Sequence, residues 1–372
     1  MKLIHCADIH LDSKMTSNLS KEKAKERKNE ILITFLDMIR YAASEGVSAI
    51  IIAGDLFDTN SFSATTKNAV ISAFRDNPEI DFYYIKGNHG GGDRFIEGMD
   101  EIPGNLHLFG ESWTTYILGE NSLGRITLSG IELSQSNYRT AYSLLNLDPA
   151  DYNIVTLHGQ TGAYSQDGSP EVIGLNELKN KSIDYLALGH VHEYYEGDLL
   201  PRGRYCYPGC LEGRGFDECG EHGFVVLDID DADYTKVKRE LMDFSKRHMF
   251  ELHTDISDCE NSTEILDKIK ETAHAAGCVD RDLIKAVLEG NVPADCEKNT
   301  GYLEAELDRD FYFAKVYDRS KLFVDYNDYE LDASLKGEFV RLVKNDETLS
   351  DDEKAQIIVF GLAALRGEDI QA

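Results

Sequence analysis

Residues 48 to 58 form an apolar run that ends in a glycine and carboxylates. It reads SAIIIAGDLFD, with three consecutive isoleucines. Such an unbroken run is typical of a strand buried on both faces of a parallel sheet. Asp55 stands where this strand stops, and open α/β sheets bind ligands beyond the carboxyl ends of their strands. Because a single carboxylate here is also typical of a turn or a helix cap, this run alone predicts a strand but no site.

Four further segments repeat the construction, since each is a short apolar strand that ends in metal-ligand residues. They are residues 1–7 before Asp8 and His10, 81–86 before Asn88 and His89, 152–157 before His158, and 183–188 before His190 and His192. If the five strands lie side by side, their ends gather two aspartates, one asparagine and five histidines at one sheet edge. The recurrence therefore predicts a polar site there.

The spacing of these residues favours two metal ions over one. Asp8 and His10 are two residues apart, as are His190 and His192, so each pair points to one side of an extended backbone and can chelate. Aspartate and histidine suit manganese, iron or zinc, and a bridging carboxylate can join ions ~3.5 to 4 Å apart. Asp55 is the expected bridge. The candidate ligands outnumber the roughly four of a closed structural site.

Charge limits how the chain could hold nucleic acid. The formal net charge is −29, which excludes a broad basic surface of the kind that replaces phosphate counterions. A local basic run between Lys14 and Lys28 is either a solvated helix face or a phosphate contact beside the site. Single arginines also follow the site motifs closely, namely Arg94, Arg202, Arg204 and Arg214.

Composition predicts a soluble, intracellular and cytoplasmic protein with no membrane contact. No stretch approaches the ~20 apolar residues of a membrane span, and the N-terminus enters a strand directly. Seven cysteines without a CxxC pair fit a reducing compartment.

The chain alternates strand and helix for its first two hundred residues. Helices are expected at Glu30–Ala43 and Thr65–Arg75, and shorter strands after Asn105 indicate a second sheet, so residues 1–244 should form a layered α/β sandwich. Residues 245–332 read as a small α+β capping domain, whose alternative is an inert appendage. Residues 333–372 are expected to be helical and either pack on their own domain or dock on a partner.

The motif order AspxHis, GlyAsp, GlyAsnHis, HisGly and GlyHisxHis, over residues 1–192, resembles the calcineurin-like metallophosphoesterase superfamily. The segments around Asp8 and Asp55, and the glycine-rich stretch 205–221, are similar to SbcD-type DNA repair exonucleases. The resemblance implies a metallophosphoesterase sandwich of two mixed sheets flanked by helices, with a small α+β capping domain and C-terminal helices.

The resemblance also implies site roles, with two divalent ions, manganese by expectation and iron or zinc as alternatives. One ion would be held by Asp8, His10, Asp55 and His192, and the other by Asp55, Asn88, His158 and His190. A metal-activated hydroxide would attack the phosphorus in line. His89 would stabilise the transition state or protonate the leaving oxygen, with a purely structural histidine as its alternative.

The sequence departs from the family pattern directly after His89. In most family members the next residue is an aspartate that orients this histidine. Here Gly90 follows, and the hypothesis is that Asp93 folds back to take that role.

The resemblance implies DNA as substrate, a homodimer, and an ATPase partner of the structural-maintenance-of-chromosomes type bound by the C-terminal helices. Two alternatives remain. One is a stand-alone phosphoesterase acting on a nucleotide, another small phosphodiester or a protein, and the other is a non-catalytic scaffold.

Overall fold

A computed structural model describes residues 1–15, 19–58, 62–88, 95–96, 101–166, 168–293, 296–323 and 326–366. The chain divides into two compact units, Met1–Arg247 and His248–Ala372. The expected division into residues 1–244, a capping domain, 245–332, and a docking segment, 333–372, remains a prediction. Among the described residues, no helix combines the length and apolar character that crossing a membrane requires.

The first unit alternates strands and helices. Its strands are β1 (Lys2–Cys6), β2 (Ala49–Ala53), β3 (Asp81–Ile85), β4 (Leu106–Leu108), β5 (Thr114–Asn121), β6 (Gly124–Gly130), β7 (Tyr152–His158), β8 (Gln160–Gly162), β9 (Val172–Gly174), β10 (Tyr185–Gly189), β11 (Tyr195–Leu199), β12 (Gly203–Tyr207), β13 (Gly223–Ile229) and β14 (Val237–Asp243). Its helices are α1 (Lys21–Ser44), α2 (Ala64–Asp76), α3 (Ala141–Leu144) and α4 (Leu175–Leu178).

Two six-stranded sheets form this unit. The first has the order β14-β13-β1-β2-β3-β4, in which β1 to β4 are parallel and β13 and β14 antiparallel. The second has the order β11-β12-β10-β7-β6-β5, with parallel central strands and antiparallel β11 and β5 at its edges. Both sheets are mixed, which confirms the fold class predicted from the sequence.

Strand β2 shows why the sheets stack. Ile50 and Ile52 pack into the core that contains Phe35 and Phe74 of α1 and α2, whereas Ile51 packs with residues of the second sheet. Both faces of the strand are buried, because side chains alternate along it. The isoleucines of this apolar run therefore pack in two different hydrophobic cores, one on each face of the strand.

Helix α1 begins at Lys21, so the expected start at Glu30 is wrong. The Ser20 hydroxyl caps the helix by accepting a hydrogen bond from the Lys23 N–H at 3.2 Å. The charged first turns lie ahead of the apolar periodicity on which the prediction relied. Within the basic run, Lys21 and Lys25 lie on the exposed face of this helix, Lys23 and Lys28 are half-buried, and Arg27 is fully buried.

The second unit is α+β, as expected for residues 245–332. Its strands are β15 (Met249–Asp255), β16 (Leu283–Glu289), β17 (Asn291–Pro293), β18 (Phe313–Asp318) and β19 (Lys321–Phe323), and its helices are α5 (Ser262–Ala275), α6 (Thr300–Asp310), α7 (Asn327–Glu330), α8 (Leu335–Lys344) and α9 (Asp351–Arg366). Strands β15, β16 and β18 form a parallel sheet that shares a core with α5 and α6. Ser350 and Glu353 form the predicted capping box ahead of α9, since each accepts a hydrogen bond from the other's backbone N–H.

Candidate metal centre

The loops that follow β1 and β2 are hydrogen-bonded to each other, which brings Asp8 and Asp55 close together. The Asp8 N–H donates to Gly54 O at 3.2 Å, and the His10 N–H donates to Asp55 O at 2.9 Å. Asp8, His10 and Asp55 all have a positive φ, between 46° and 50°. This conformation is rare for residues other than glycine and costs about 1 to 3 kcal/mol each, so the surrounding fold must impose it.

The five ligand-bearing strands do not all lie side by side, which was the condition for gathering their ends in one sheet, but divide between the two sheets. β1, β2 and β3 belong to the first sheet, whereas β7 and β10 belong to the second. The two sets meet at their carboxyl ends, where His158 Nδ1 lies 2.9 Å from Ala53 O. A Cβ at position 189 would collide with the same carbonyl oxygen, so glycine permits this close approach. The candidate centre therefore lies at the carboxyl ends of strands from both sheets.

Asp8, His10 and His192 form the first ligand group, with ligand atoms that all lie within 4.8 Å of one another. The Nε2 atoms of His10 and His192 are 3.2 Å apart. Two nitrogens that bind one ion at ~2.1 Å are separated by ~3.0 to 3.4 Å for bond angles between octahedral and tetrahedral values. The two imidazoles are thus spaced as ligands of a single cation.

Asp8, Asp55 and His158 form the second group within the same distance limit. His158 Nε2 lies 3.4 Å from Asp55 Oδ2 and 3.2 Å from Asn88 Oδ1, so three predicted ligands surround one point. Asp8 belongs to both groups, while the bridging role of Asp55 stays a prediction.

The other predicted ligand of this ion, His190, is placed beside the group. Its ring packs edge-on to that of His158 with centroids 5.4 Å apart, and its N–H lies 3.0 and 2.8 Å from the Asp8 carboxylate oxygens. The backbone of His190 thus orients Asp8, and its side-chain role remains a prediction.

Burial makes this cluster receptive to cations. It raises the pKa of Asp8 to about 7, because a charged carboxylate is poorly solvated there. Burial likewise lowers the pKa of His190, and the nearby His158 lowers it further. Divalent cations would replace the lost solvation, so the donors present fit metal ions.

Two carboxylate residues that were not predicted as site residues contact the Nδ1 atoms of His10 and His192. Asp58 Oδ1 lies 3.2 Å from His10 Nδ1, and Glu218 Oε1 lies 2.7 Å from His192 Nδ1. A carboxylate on the far nitrogen of a ligand histidine is common in metal sites. Asp58 is the last residue of the apolar run 48–58 and Glu218 belongs to the glycine-rich stretch 205–221, but neither could be assigned a role without the fold.

The arginines that follow site motifs divide into separate groups. Arg214 contacts Asp58 and Glu218 at the centre. Arg202 pairs with Asp184, and Arg204 pairs with Glu196 of β11, its own antiparallel neighbour. The predicted residues His89, Gly90, Asp93 and Arg94 lie outside the described residues.

Manganese binding should tighten as the pH rises. Burial lowers the pKa of His158 and of His192, but Asp55 beside the first ring and Glu218 beside the second outweigh it, so both pKa values are raised. A metal binds only the deprotonated nitrogen, so below these pKa values each ion must displace protons, and affinity should fall by up to about tenfold per pH unit for each proton released. Titration calorimetry in buffers of different ionisation enthalpy would count those protons. An affinity that is constant between about pH 6 and pH 8 would contradict the prediction.

The chain is similar to known metallophosphoesterases. The family model described as calcineurin-like phosphoesterase matches residues 1–194. An uncharacterized metallophosphoesterase, YhaO of Bacillus subtilis (strain 168), is 26% identical over 287 residues, which are 73% of this chain and 67% of that protein. The DNA double-strand break repair protein Mre11 of Sulfolobus acidocaldarius is 26% identical over 214 residues, which are 54% of this chain and 53% of that protein. The chain thus spans about half the length of the latter relative.

Solved structures to which the chain is similar include TT1561 of Thermus thermophilus, with a TM-score of 0.41 and 11% identity over 64% of this chain and 98% of that one. A dimetal phosphatase from Danio rerio has a TM-score of 0.39 and 12% identity, over 62% and 93% of the two chains. Calcineurin-like phosphoesterases are hydrolases that bind two divalent metal ions. Because the family model covers more than half of its residues, the chain belongs to the calcineurin-like phosphoesterase family.

Proposed function

We propose that this chain is a two-metal phosphodiesterase that cleaves DNA, as the nuclease subunit of a repair complex. The observation that carries the proposal is that two candidate ligand groups share Asp8 and lie where the carboxyl ends of strands from both sheets meet. The similarity to a DNA double-strand break repair protein supports DNA as the substrate.

The proposed ligand sets follow the sequence prediction. Asp8, His10, Asp55 and His192 would hold one ion, and Asp55, Asn88, His158 and His190 the other. Bound divalent ions would lower the pKa of coordinated water and would stabilise negative charge on the phosphoryl oxygens. Manganese is the expected ion, with iron or zinc as alternatives. The protein's own task is to hold the donors and orient the phosphate.

His89 is the proposed acid, because it follows the ligand Asn88 directly in the sequence. Its ring would donate a proton to the leaving oxygen or stabilise the transition state. The orienting role of Asp93 is part of the same proposal, and an unchanged rate in Asp93→Ala would remove it.

The net charge of −29 favours a second component for DNA affinity. An ATPase of the structural-maintenance-of-chromosomes type is the proposed partner, and a homodimer the proposed assembly. The same charge favours the alternative of a small phosphodiester or nucleotide as substrate of the isolated chain.

Helices α8 and α9 support a docking role for the end of the chain. They share a small core that includes Val340 and Ile358, yet Leu335, Leu342 and Phe360 are 70%, 66% and 48% exposed. Large apolar side chains on adjoining helices are typical of a protein interface. A partner that covers them would bury this surface.

The test of the proposed function is manganese-dependent cleavage of end-labelled linear DNA by the purified chain, run beside His89→Ala. His274→Ala is the matched control, because His274 is an exposed residue of α5. We expect cleavage by the wild type and the control and a loss of about 10²- to 10⁴-fold in His89→Ala. Hydrolysis of bis-p-nitrophenyl phosphate without DNA cleavage would favour the small-substrate alternative.

Removing residues 333–372 should abolish partner binding and leave hydrolysis of a small phosphodiester intact, because the predicted ligands all lie in the first unit. The double substitution Leu335→Glu and Leu342→Glu should weaken binding in the same direction without removing the helices. Co-purification with the partner ATPase and a phosphodiester assay measure the two effects. Undiminished co-purification of the truncated chain would contradict the docking role.

A further inference from the structure

Arg214 lies between the two carboxylates that contact the metal-ligand histidines. Its Nη1 is 3.2 Å from Asp58 Oδ1 and its Nη2 is 2.7 Å from Glu218 Oε1. Asp58 in turn contacts His10, and Glu218 contacts His192. One guanidinium therefore links the far sides of both histidines of the first ligand group.

We propose that Arg214, Glu218 and Asp58 form a positioning unit that sets the tautomer and orientation of His192 for metal binding. The inference rests on the proposed two-metal function, which it extends to residues that bind no metal themselves. None of the three is a catalytic residue in this proposal.

The contacts of His192 Nδ1 carry the argument. Glu218 Oε1 lies 2.7 Å from this nitrogen, and Arg214 Nη2 lies 3.0 Å from it. A carboxylate can only accept a hydrogen bond and a guanidinium can only donate one, so the two neighbours demand opposite tautomers. The shorter, charge-assisted contact to Glu218 places the proton on Nδ1 and leaves the Nε2 lone pair directed at the metal position.

Arg214 keeps Glu218 in that role. It donates to Glu218 through its backbone N–H at 2.8 Å and through its side chain. The side chains of Arg214 and Glu218 are 17% and 8% exposed, so solvent screens the pair little.

The segment that carries these residues is tied to the body of the unit. Glu212, two residues before Arg214, is buried and accepts hydrogen bonds from Thr34 at 2.6 Å and from the Lys246 N–H at 2.7 Å. Arg27, also buried, donates to Glu212 and to Gly213 O. The positioning unit therefore stands on a fixed base, which a group that orients ligands requires.

The substitution Glu218→Leu distinguishes control of the His192 tautomer from a purely structural role of Glu218. The acceptor is lost, and the Arg214 guanidinium is left beside Nδ1, where it favours the tautomer with the proton on Nε2. That proton blocks the metal position, so we expect Mn²⁺ affinity to fall by about ten- to a hundredfold. Glu218→Gln, which keeps an oxygen that can accept from Nδ1, should restore much of the loss.

The double variant Glu218→Leu with Arg214→Met gives the decisive sign. Without the guanidinium His192 can choose either tautomer, so the double variant should bind Mn²⁺ more tightly than Glu218→Leu alone. A purely structural role predicts that a second lost contact leaves binding the same or weaker. Lys2 and Glu45 form the matched control pair, because theirs is a partly exposed salt bridge, and Glu45→Leu with Lys2→Met should leave binding unchanged.

Two measurements decide the outcome on chelator-treated full-length protein. Calorimetric titration with Mn²⁺ gives the affinities, and ¹⁵N NMR of the histidine rings at alkaline pH gives the tautomer of His192, assigned with His192→Asn. We expect the Nδ1–H form in the wild type and the Nε2–H form in Glu218→Leu. An unchanged tautomer, or a double variant no better than Glu218→Leu, would overturn the inference. Absence of Mn²⁺ binding in the wild type would instead overturn the proposed function, while the NMR result still decides the positioning role.

Discussion

Asp8→Asn is expected to reduce phosphodiester hydrolysis by about a thousandfold or more, because metal ions contribute several kcal/mol to transition-state stabilisation. Asp8 is fully buried and belongs to both ligand groups. An amide of the same shape removes the negative charge that both positions share. Metal content per chain after Mn²⁺ loading, together with the hydrolysis rate of bis-p-nitrophenyl phosphate, measures the effect.

Asp76→Asn is the control for that substitution, since Asp76 is an exposed residue at the end of α2 and undergoes the same chemical change. It should retain wild-type metal content and rate. Asp55→Asn provides the comparison for the expected bridge, and its rate should fall as far as that of Asp8→Asn. If Asp8→Asn kept both ions and its activity, the assignment of this centre would be wrong.

Gly189→Ala is expected to destabilise the protein by about 3 kcal/mol and to weaken metal binding at the same time. A Cβ at this position would strike the Ala53 carbonyl oxygen, which belongs to the other sheet, and it would also press on His158 Nδ1 at 2.9 Å. The backbone cannot move aside as a flexible side chain can. The carboxyl ends of β2 and β10 would therefore have to move apart. Urea unfolding measures the loss of stability, and Mn²⁺ titration measures the effect on the site.

Gly104→Ala is the matched control, because a Cβ there would meet open space. It should change the free energy of unfolding by less than about 1 kcal/mol. If Gly189→Ala had the stability and Mn²⁺ affinity of the wild type, the sheets would not need their close approach at this point.

Local pattern was sufficient for the strands that precede the candidate ligands. The run at residues 49–53 is buried on both faces, and its neighbours at 2–6 and 81–85 begin and end within about two residues of the expected bounds, because an apolar segment must be covered wherever the chain goes. The start of α1 was missed because its first turns are charged and its Ser20 cap lies outside any apolar period.

Local sequence pattern therefore specifies which residues follow each of these strands and which chemical groups they carry. The tertiary structure alone decided that the strands divide between two sheets, that Asp8 joins both ligand groups, and that Arg214 links Asp58 to Glu218. These pairings join residues as far as 182 positions apart, as between His10 and His192. Burial of an apolar side chain constrains each segment independently, whereas a hydrogen bond between distant residues depends on how all the segments pack together.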